Sequence, residues 1–108
     1  MEKPQINVGY VIYTLGDEPG TLDAIWRHQT KGSGTGKATG GNGEVYAGIY
    51  QITYWDEQGQ LRAEHELEIV QKDGYCDLAW SKDGALVTRG IGQETSAGLI
   101  VGFRHMSD

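Results

Sequence analysis

The chain has one cysteine and two prolines, and it contains no apolar run long enough to cross a bilayer. With Cys76 as its one cysteine, it cannot form an internal disulfide. Nine scattered basic residues against fifteen acidic ones give a net charge of −6, so nucleic acid is not an expected partner. The first residues lack the apolar core of a signal peptide, which predicts a cytoplasmic location. A secreted chain whose leader had been removed would share these features, so that alternative stays open.

Signatures of catalysis and metal binding are also missing. The three histidines, His28, His65 and His105, lack the local spacing of a zinc site, and no serine lies in a Gly-x-Ser-x-Gly motif. The glycine-rich stretch 32–39 is no phosphate loop, because Lys31 and Ala38 occupy positions that require Gly and Ser or Thr. We therefore expect no metal and no cofactor, and a non-catalytic protein is favoured over an enzyme.

The clearest pattern that is present is the run Leu61 to Gln71. Its residues alternate between an apolar face, which includes His65, and a face rich in charged residues, which is typical of a half-buried β-strand. The same pattern recurs between turns that contain glycine, and it predicts about eight strands. Their predicted ranges are 6–15, 21–30, 34–39, 45–55, 61–71, 75–81, 85–91 and 99–105. The segment 93–98 is the best helix candidate and allows a single turn.

Two hairpins share the triplet Lys-Asp-Gly, and each can close with a two- or a three-residue loop. A two-residue loop at Asp73-Gly74, with positive φ at both residues, pairs Leu67 with Trp80 and Ile69 with Leu78. This apolar pairing is the preferred register. At Asp83-Gly84 the register that turns Leu86 and Thr88 inward is favoured, because the other would bury Arg89.

A meander of eight strands leaves two exposed edges unless it closes. The predicted fold is therefore all-β: one domain over residues 1–108, forming an antiparallel meander barrel of about eight strands, with a β-sandwich as the alternative. Glycines within the strands fit the sharp bending of a barrel, and they are Gly34, Gly36, Gly48, Gly90, Gly92 and Gly102.

Aromatic residues on different predicted strands are the main functional signal. Pointing inward, they would line a barrel with apolar walls and a few polar donors, as in a pocket for one small, partly apolar molecule. The candidate ligand-binding residues are Trp26, His28, Tyr50, Tyr54, His65 and Trp80. The alternative is that these rings fill the core. The protein would then be a structural or protein-interaction module, monomeric or homodimeric.

Several segments resemble an uncharacterised family of small bacterial proteins. They are Gly34-Thr35-Gly36-Lys37-Ala38, residues 48–54 (GIYQITY), residues 74–81 (GYCDLAWS) with Gly84, and Gly90-Ile91-Gly92 before Gly98-Leu99. The pattern also resembles avidin and lipocalin repeats, in which Gly-x-Tyr begins a strand and a Trp plugs the barrel. Both resemblances imply a β-barrel, and neither implies an activity.

Overall fold

The computed structural model describes residues 7–106, which form eight antiparallel strands in one closed barrel. Each strand pairs with the next, and β8 closes the barrel against β1, from Val8↔Arg104 to Tyr13↔Leu99. The predicted all-β meander barrel is confirmed, and the chain does not form the alternative sandwich. The strands are β1 (Val8–Leu15), β2 (Leu22–His28), β3 (Gly32–Thr39), β4 (Gly48–Asp56), β5 (Leu61–Gln71), β6 (Cys76–Lys82), β7 (Ala85–Thr95) and β8 (Gly98–His105).

Strands β3 and β7 extend beyond their predicted ranges by at least two residues, at the start of β3 and at the end of β7. Ile6, the predicted start of the first strand, lies outside the described residues. Strand β3 begins at Gly32, because its glycine-rich backbone pairs fully with β2. The helix candidate 93–98 is wrong: Gln93 and Thr95 pair with β8, and the chain turns only at residues 96–97. No described residue is helical, so residues 7–106 contain no helix that could cross a membrane.

The loop before β4 closes one end of the barrel. The prediction began this strand at Val45, but it begins at Gly48. The Tyr50 hydroxyl, which is buried, donates to the carbonyl oxygens of Tyr46 at 2.8 Å and Val45 at 3.2 Å. These bonds hold the segment in a loop, and the Tyr46 ring packs against the core.

The register between β5 and β6 is the preferred one, with Leu67 opposite Trp80 and Ile69 opposite Leu78. Cys76 is buried on the same inward face. In the connecting turn only Gly74 has a positive φ, at 89°, so the prediction of positive φ at both central residues was wrong for Asp73.

The register between β6 and β7 combines both alternatives through a β-bulge. Asp83 and Gly84 have φ of 51° and 82° and form a two-residue loop, but the register shifts between Trp80 and Ser81, where Val87 is the extra residue, so that Trp80 faces Thr88. Thr88 is therefore buried as predicted, whereas Leu86 is exposed and Val87 packs against the core. The bulged residue lets two consecutive positions, 87 and 88, face the interior.

The interior has two halves. The closed half lies toward the loops after β1, β3, β5 and β7, and it is filled by fully buried side chains that include Tyr13, Leu22, Tyr50, Ile69 and Leu99. The open half lies toward the loops after β2, β4 and β6. Inward side chains there are Trp26, Tyr54 and Phe103, which are only partly buried.

Candidate functional site

The open half of the barrel holds a cavity of about 320 Å³. Every strand except β3 contributes inward-facing residues to its wall. The lining residues are Val11, Trp26, His28, Lys31, Tyr54, Arg62, Ala63, His65, Trp80, Val87, Thr88, Phe103 and His105. A cavity of this size lies at the lower end of the range for small-molecule sites in proteins.

Five of the six candidate ligand-binding residues line this cavity, namely Trp26, His28, Tyr54, His65 and Trp80. Tyr50 does not line it, because it lies two positions before Ile52 in the closed half, with its ring fully buried and its hydroxyl bonded to the β3–β4 loop. The period of two correctly placed Tyr50 on the inward face but could not tell which end of the barrel it occupies.

Sequence reasoning missed Lys31, Arg62, Thr88 and His105 as lining residues. Lys31 precedes β3, and Arg62 is the extra residue of a β-bulge opposite Tyr54 and Trp55, so strict alternation does not predict the direction of either side chain. His105 had a visible signal, since it follows Phe103 by two positions on β8 and therefore shares its inward face.

Glycines opposite two of the aromatic residues make room for their rings. Gly36 pairs with Tyr54, and a Cβ at Gly36 would lie 2.8 Å from the Tyr54 ring. Gly9 pairs with Phe103 in the same way, and a Cβ there would lie 2.5 Å from Cζ of that ring. The aromatic rings therefore fit because the neighbouring strands have glycine, which lacks a side chain, at the positions opposite them.

A hydrogen-bond network fixes the floor of the cavity. The Trp80 indole N–H donates to the Tyr54 hydroxyl at 2.8 Å, and this hydroxyl shares a 2.6 Å bond with the fully buried Tyr13 hydroxyl. Burial raises the pKa of Tyr54 to about 12 and holds the pKa of Tyr13 well above its usual value, so both phenols are neutral at physiological pH.

The second cavity tryptophan, Trp26, also has its N–H occupied within the protein. It donates to the carbonyl oxygens of Thr35 and Trp55, each at 3.1 Å. Both indoles are therefore locked in position, and what they offer to the cavity is ring surface.

His28 carries a polar atom without a partner. Its Nδ1 accepts from the backbone N–H of Thr30 at 3.0 Å and of Lys31 at 3.2 Å. An imidazole nitrogen that accepts two N–H groups bears no proton, so the neutral ring carries its proton on Nε2. This Nε2 is buried and has no hydrogen-bond partner among the described residues, and the side chain is only 2% exposed.

The other two histidines extend this polar part of the wall. The His105 ring stacks on His28 with ring centres 5.2 Å apart, and its Nδ1 lies 2.7 Å from the Thr88 hydroxyl. His65 lies across the cavity on β5, where its Nδ1 is buried and has no partner among residues 7–106. Two buried nitrogens of cavity-lining histidines thus have no hydrogen-bond partner within the part of the chain that the structure describes.

All three histidines are shifted toward the neutral form. Burial is the main cause of the lowered pKa at each ring. The Lys31 ammonium further lowers the pKa of His28 and His105, and the Lys82 ammonium lowers that of His65. Neutral imidazoles can donate and accept hydrogen bonds without bringing a charge into the cavity.

This arrangement suits binding better than acid–base catalysis. Among the lining residues that the structure describes, no carboxylate is present to orient or charge a histidine. Nor do residues 7–106 contain a group of three or more His, Cys, Asp or Glu side chains placed to hold a metal ion. The Cys76 thiol lies among the buried residues of the core cluster, and burial raises its pKa, which disfavours the nucleophilic thiolate.

Comparison with protein-family models, curated proteins and solved structures found no match for this chain.

Proposed function

We propose that this protein is a non-catalytic binding domain that holds one small, partly apolar molecule in the open half of its barrel. The observation that carries the proposal is a cavity open at one end and walled by aromatic rings. His28 lines this cavity, and its Nε2–H has no partner among the described residues. A buried donor with no partner costs free energy, and a ligand with an acceptor would recover it.

The division of the interior supports this proposal over a filled structural barrel. The closed half alone has the complete packing of a protein core, with side chains such as Tyr13, Leu67 and Leu99 fully buried. It can stabilise the fold while the open half remains hollow. The architectural resemblance to avidin and lipocalin repeats belongs to this proposal, although it implies no activity by itself. A place in the bacterial family named above and a cytoplasmic location belong to the same proposal.

A screen for thermal stabilisation tests the proposal, because a ligand that binds only the folded state raises the melting temperature. We expect compounds with a ring and an acceptor group, taken from a mixed metabolite library, to raise it. The shift must disappear in Ala63→Phe, which places a ring in the cavity lining. It must persist in Ala97→Phe, which adds the same ring to an exposed turn at the opposite end. A library without any stabilising compound would contradict ligand binding.

A second candidate function is self-association through the outer surface. Large apolar side chains are exposed on neighbouring strands, among them Tyr10 on β1, Ile25 on β2, Ile91 on β7 and Ile100 on β8. Gly102 lies between Tyr10 and Ile91 in the ladder and adds no side chain to this face. An apolar patch that is continuous across strands is typical of a contact between two copies.

Sedimentation over a range of protein concentrations tests this second candidate. A dimer that dissociates in Ile100→Glu would support the outer face as its contact. A monomer at all concentrations would exclude it without affecting the cavity.

A further inference from the structure

Not every hydrogen-bond donor in the cavity wall has an acceptor within the described part of the protein, and this restricts the chemistry of a ligand. The N–H groups of Trp26 and Trp80 already have protein acceptors. The Nε2–H of His28 has none among the described residues, and the tautomer that makes it a donor is fixed by two backbone N–H groups on Nδ1. A ligand that satisfies this site must therefore present a hydrogen-bond acceptor to His28.

The charge of the cavity is opposite in sign to that of the protein. The chain carries fifteen acidic and nine basic residues, yet its cavity lining includes Lys31 and Arg62 and, among the described residues, no Asp or Glu. Lys31 lies beside His28, since its backbone N–H donates to Nδ1 of that ring at 3.2 Å and its side chain lines the cavity. After burial, the Lys31 ammonium is the second cause that lowers the pKa of His28. An anionic acceptor gains from both cations, whereas a cationic ligand would be repelled.

The walls also favour a ring. Trp26, Tyr54, Trp80 and Phe103 line a cavity of about 320 Å³, which is the size of a site for one small molecule. Rings packed edge-to-face or offset gain interaction beyond the burial of their area.

We propose that the cavity binds a small aromatic carboxylate. The ring lies among the aromatic walls, and one carboxylate oxygen accepts from Nε2–H of His28. Lys31 and Arg62 neutralise the negative charge at the open end. This inference rests on the proposed binding function and specifies its ligand class.

Three compounds with one phenyl ring and different charge test the inference: phenylacetate, phenylacetamide and 2-phenylethylamine. Isothermal titration calorimetry should give an affinity about tenfold higher for phenylacetate than for the amide, since a charged acceptor forms the stronger hydrogen bond. The amine should not bind. Added salt should weaken phenylacetate binding and leave the amide unchanged. Cyclohexylacetate, which keeps the charge but lacks the aromatic ring, should bind more weakly than phenylacetate.

Variants of the two basic residues at the open end test whether these residues attract the carboxylate of the ligand. Lys31→Gln combined with Arg62→Gln should lower the affinity for phenylacetate about tenfold and leave that for phenylacetamide unchanged. The control is Lys72→Gln, which removes an exposed lysine from the turn at the closed end and should change neither affinity. An equal loss for both ligands in the double variant would mean that these residues only shape the cavity, and would overturn their assigned role.

His28 needs a direct measurement, because its replacement would also leave two backbone N–H groups without an acceptor. In nitrogen NMR of the wild type, the Nε2–H resonance of His28 should shift on addition of phenylacetate, while Nδ1 remains unprotonated. An unchanged resonance at saturation would refute the contact.

The outcomes separate the two proposals. If phenylacetamide binds as tightly as phenylacetate, or the amine binds best, the cavity binds ligands but the carboxylate inference is wrong. If none of the three binds while the metabolite screen finds a stabilising compound, the inference is again wrong and the binding function stands. If the screen also finds nothing, both fail.

Discussion

The three-residue network beneath the cavity offers the sharpest test of the structure. Tyr54→Phe removes the hydroxyl that accepts the Trp80 N–H and bonds to the Tyr13 hydroxyl. Both remaining groups belong to side chains that are at most 3% exposed. Each buried polar group left without a partner costs about 1–3 kcal/mol, so for these two groups we expect the free energy of unfolding to fall by about 2–6 kcal/mol.

Comparing each single variant with the double variant Tyr54→Phe/Tyr13→Phe tests whether the two hydroxyls belong to one hydrogen-bond network. Tyr13→Phe alone leaves Tyr54 bonded to Trp80, and should cost about 1 kcal/mol. In the double variant only the Trp80 N–H lacks a partner, since the unsatisfied hydroxyl of Tyr13 is gone. The double variant should therefore be more stable than Tyr54→Phe by about 1 kcal/mol, which is a strongly non-additive result.

Urea unfolding followed by circular dichroism measures these differences, and an unchanged slope with urea shows that they reflect stability alone. Tyr75→Phe, at an exposed turn position, is the control and should change stability by less than about 0.5 kcal/mol. Strictly additive effects, or a Tyr54→Phe variant as stable as the control, would show that the network does not exist in solution.

Three further predictions follow from the packing and the titrating groups. Gly36→Ala should cost about 1–3 kcal/mol in urea unfolding because its Cβ would press on Tyr54, whereas Gly102→Ala, with nothing within 4 Å, should be neutral or slightly stabilising. Because burial lowers the pKa of all three cavity histidines below the unfolded value of 6.5, the unfolded chain binds more protons below about pH 6.5. Stability should therefore fall as pH drops through that value, and replacing these histidines should flatten the curve; a curve level between about pH 5 and 7 would contradict their burial. The raised pKa of Tyr54, about 12, means that this phenol loses its proton first in the unfolded state. Stability should therefore fall as pH rises above 10, and the share of the tyrosinate absorbance that is lost in a Tyr54→Phe variant should appear only on unfolding.

The acceptor preference that we propose for the cavity depends on one turn. The chain bends after His28 so that the N–H groups of Thr30 and Lys31 both point at Nδ1 of that ring. The turn thus selects the tautomer, and it also brings the Lys31 side chain to the cavity. A short local segment sets both the direction of the free donor and part of the charge around it.

The sequence by itself determined the strands and their number. Period-two alternation from Leu61 to Gln71, repeated between glycine turns, marks half-buried strands, because successive side chains in a strand point to opposite faces. The turn at Asp73-Gly74 and the apolar pairing of Leu67 with Trp80 were enough to set one register. Closure of the barrel was predicted because an open meander leaves the backbone N–H and C=O groups of its two edge strands unpaired.

Only the tertiary structure decided where the cavity lies and what charge surrounds it. Alternation tells inside from outside but does not distinguish the two ends of a barrel, so Tyr50 and Tyr54 looked equivalent, although one fills the core and the other lines the cavity. The bulge at Val87, opposite Trp80 and Ser81, could not be anticipated either, because it depends on fitting Val87 and Thr88 together against β6 and the interior. Lys31, Arg62 and His105 come from distant parts of the chain, and barrel closure brings them around one cavity.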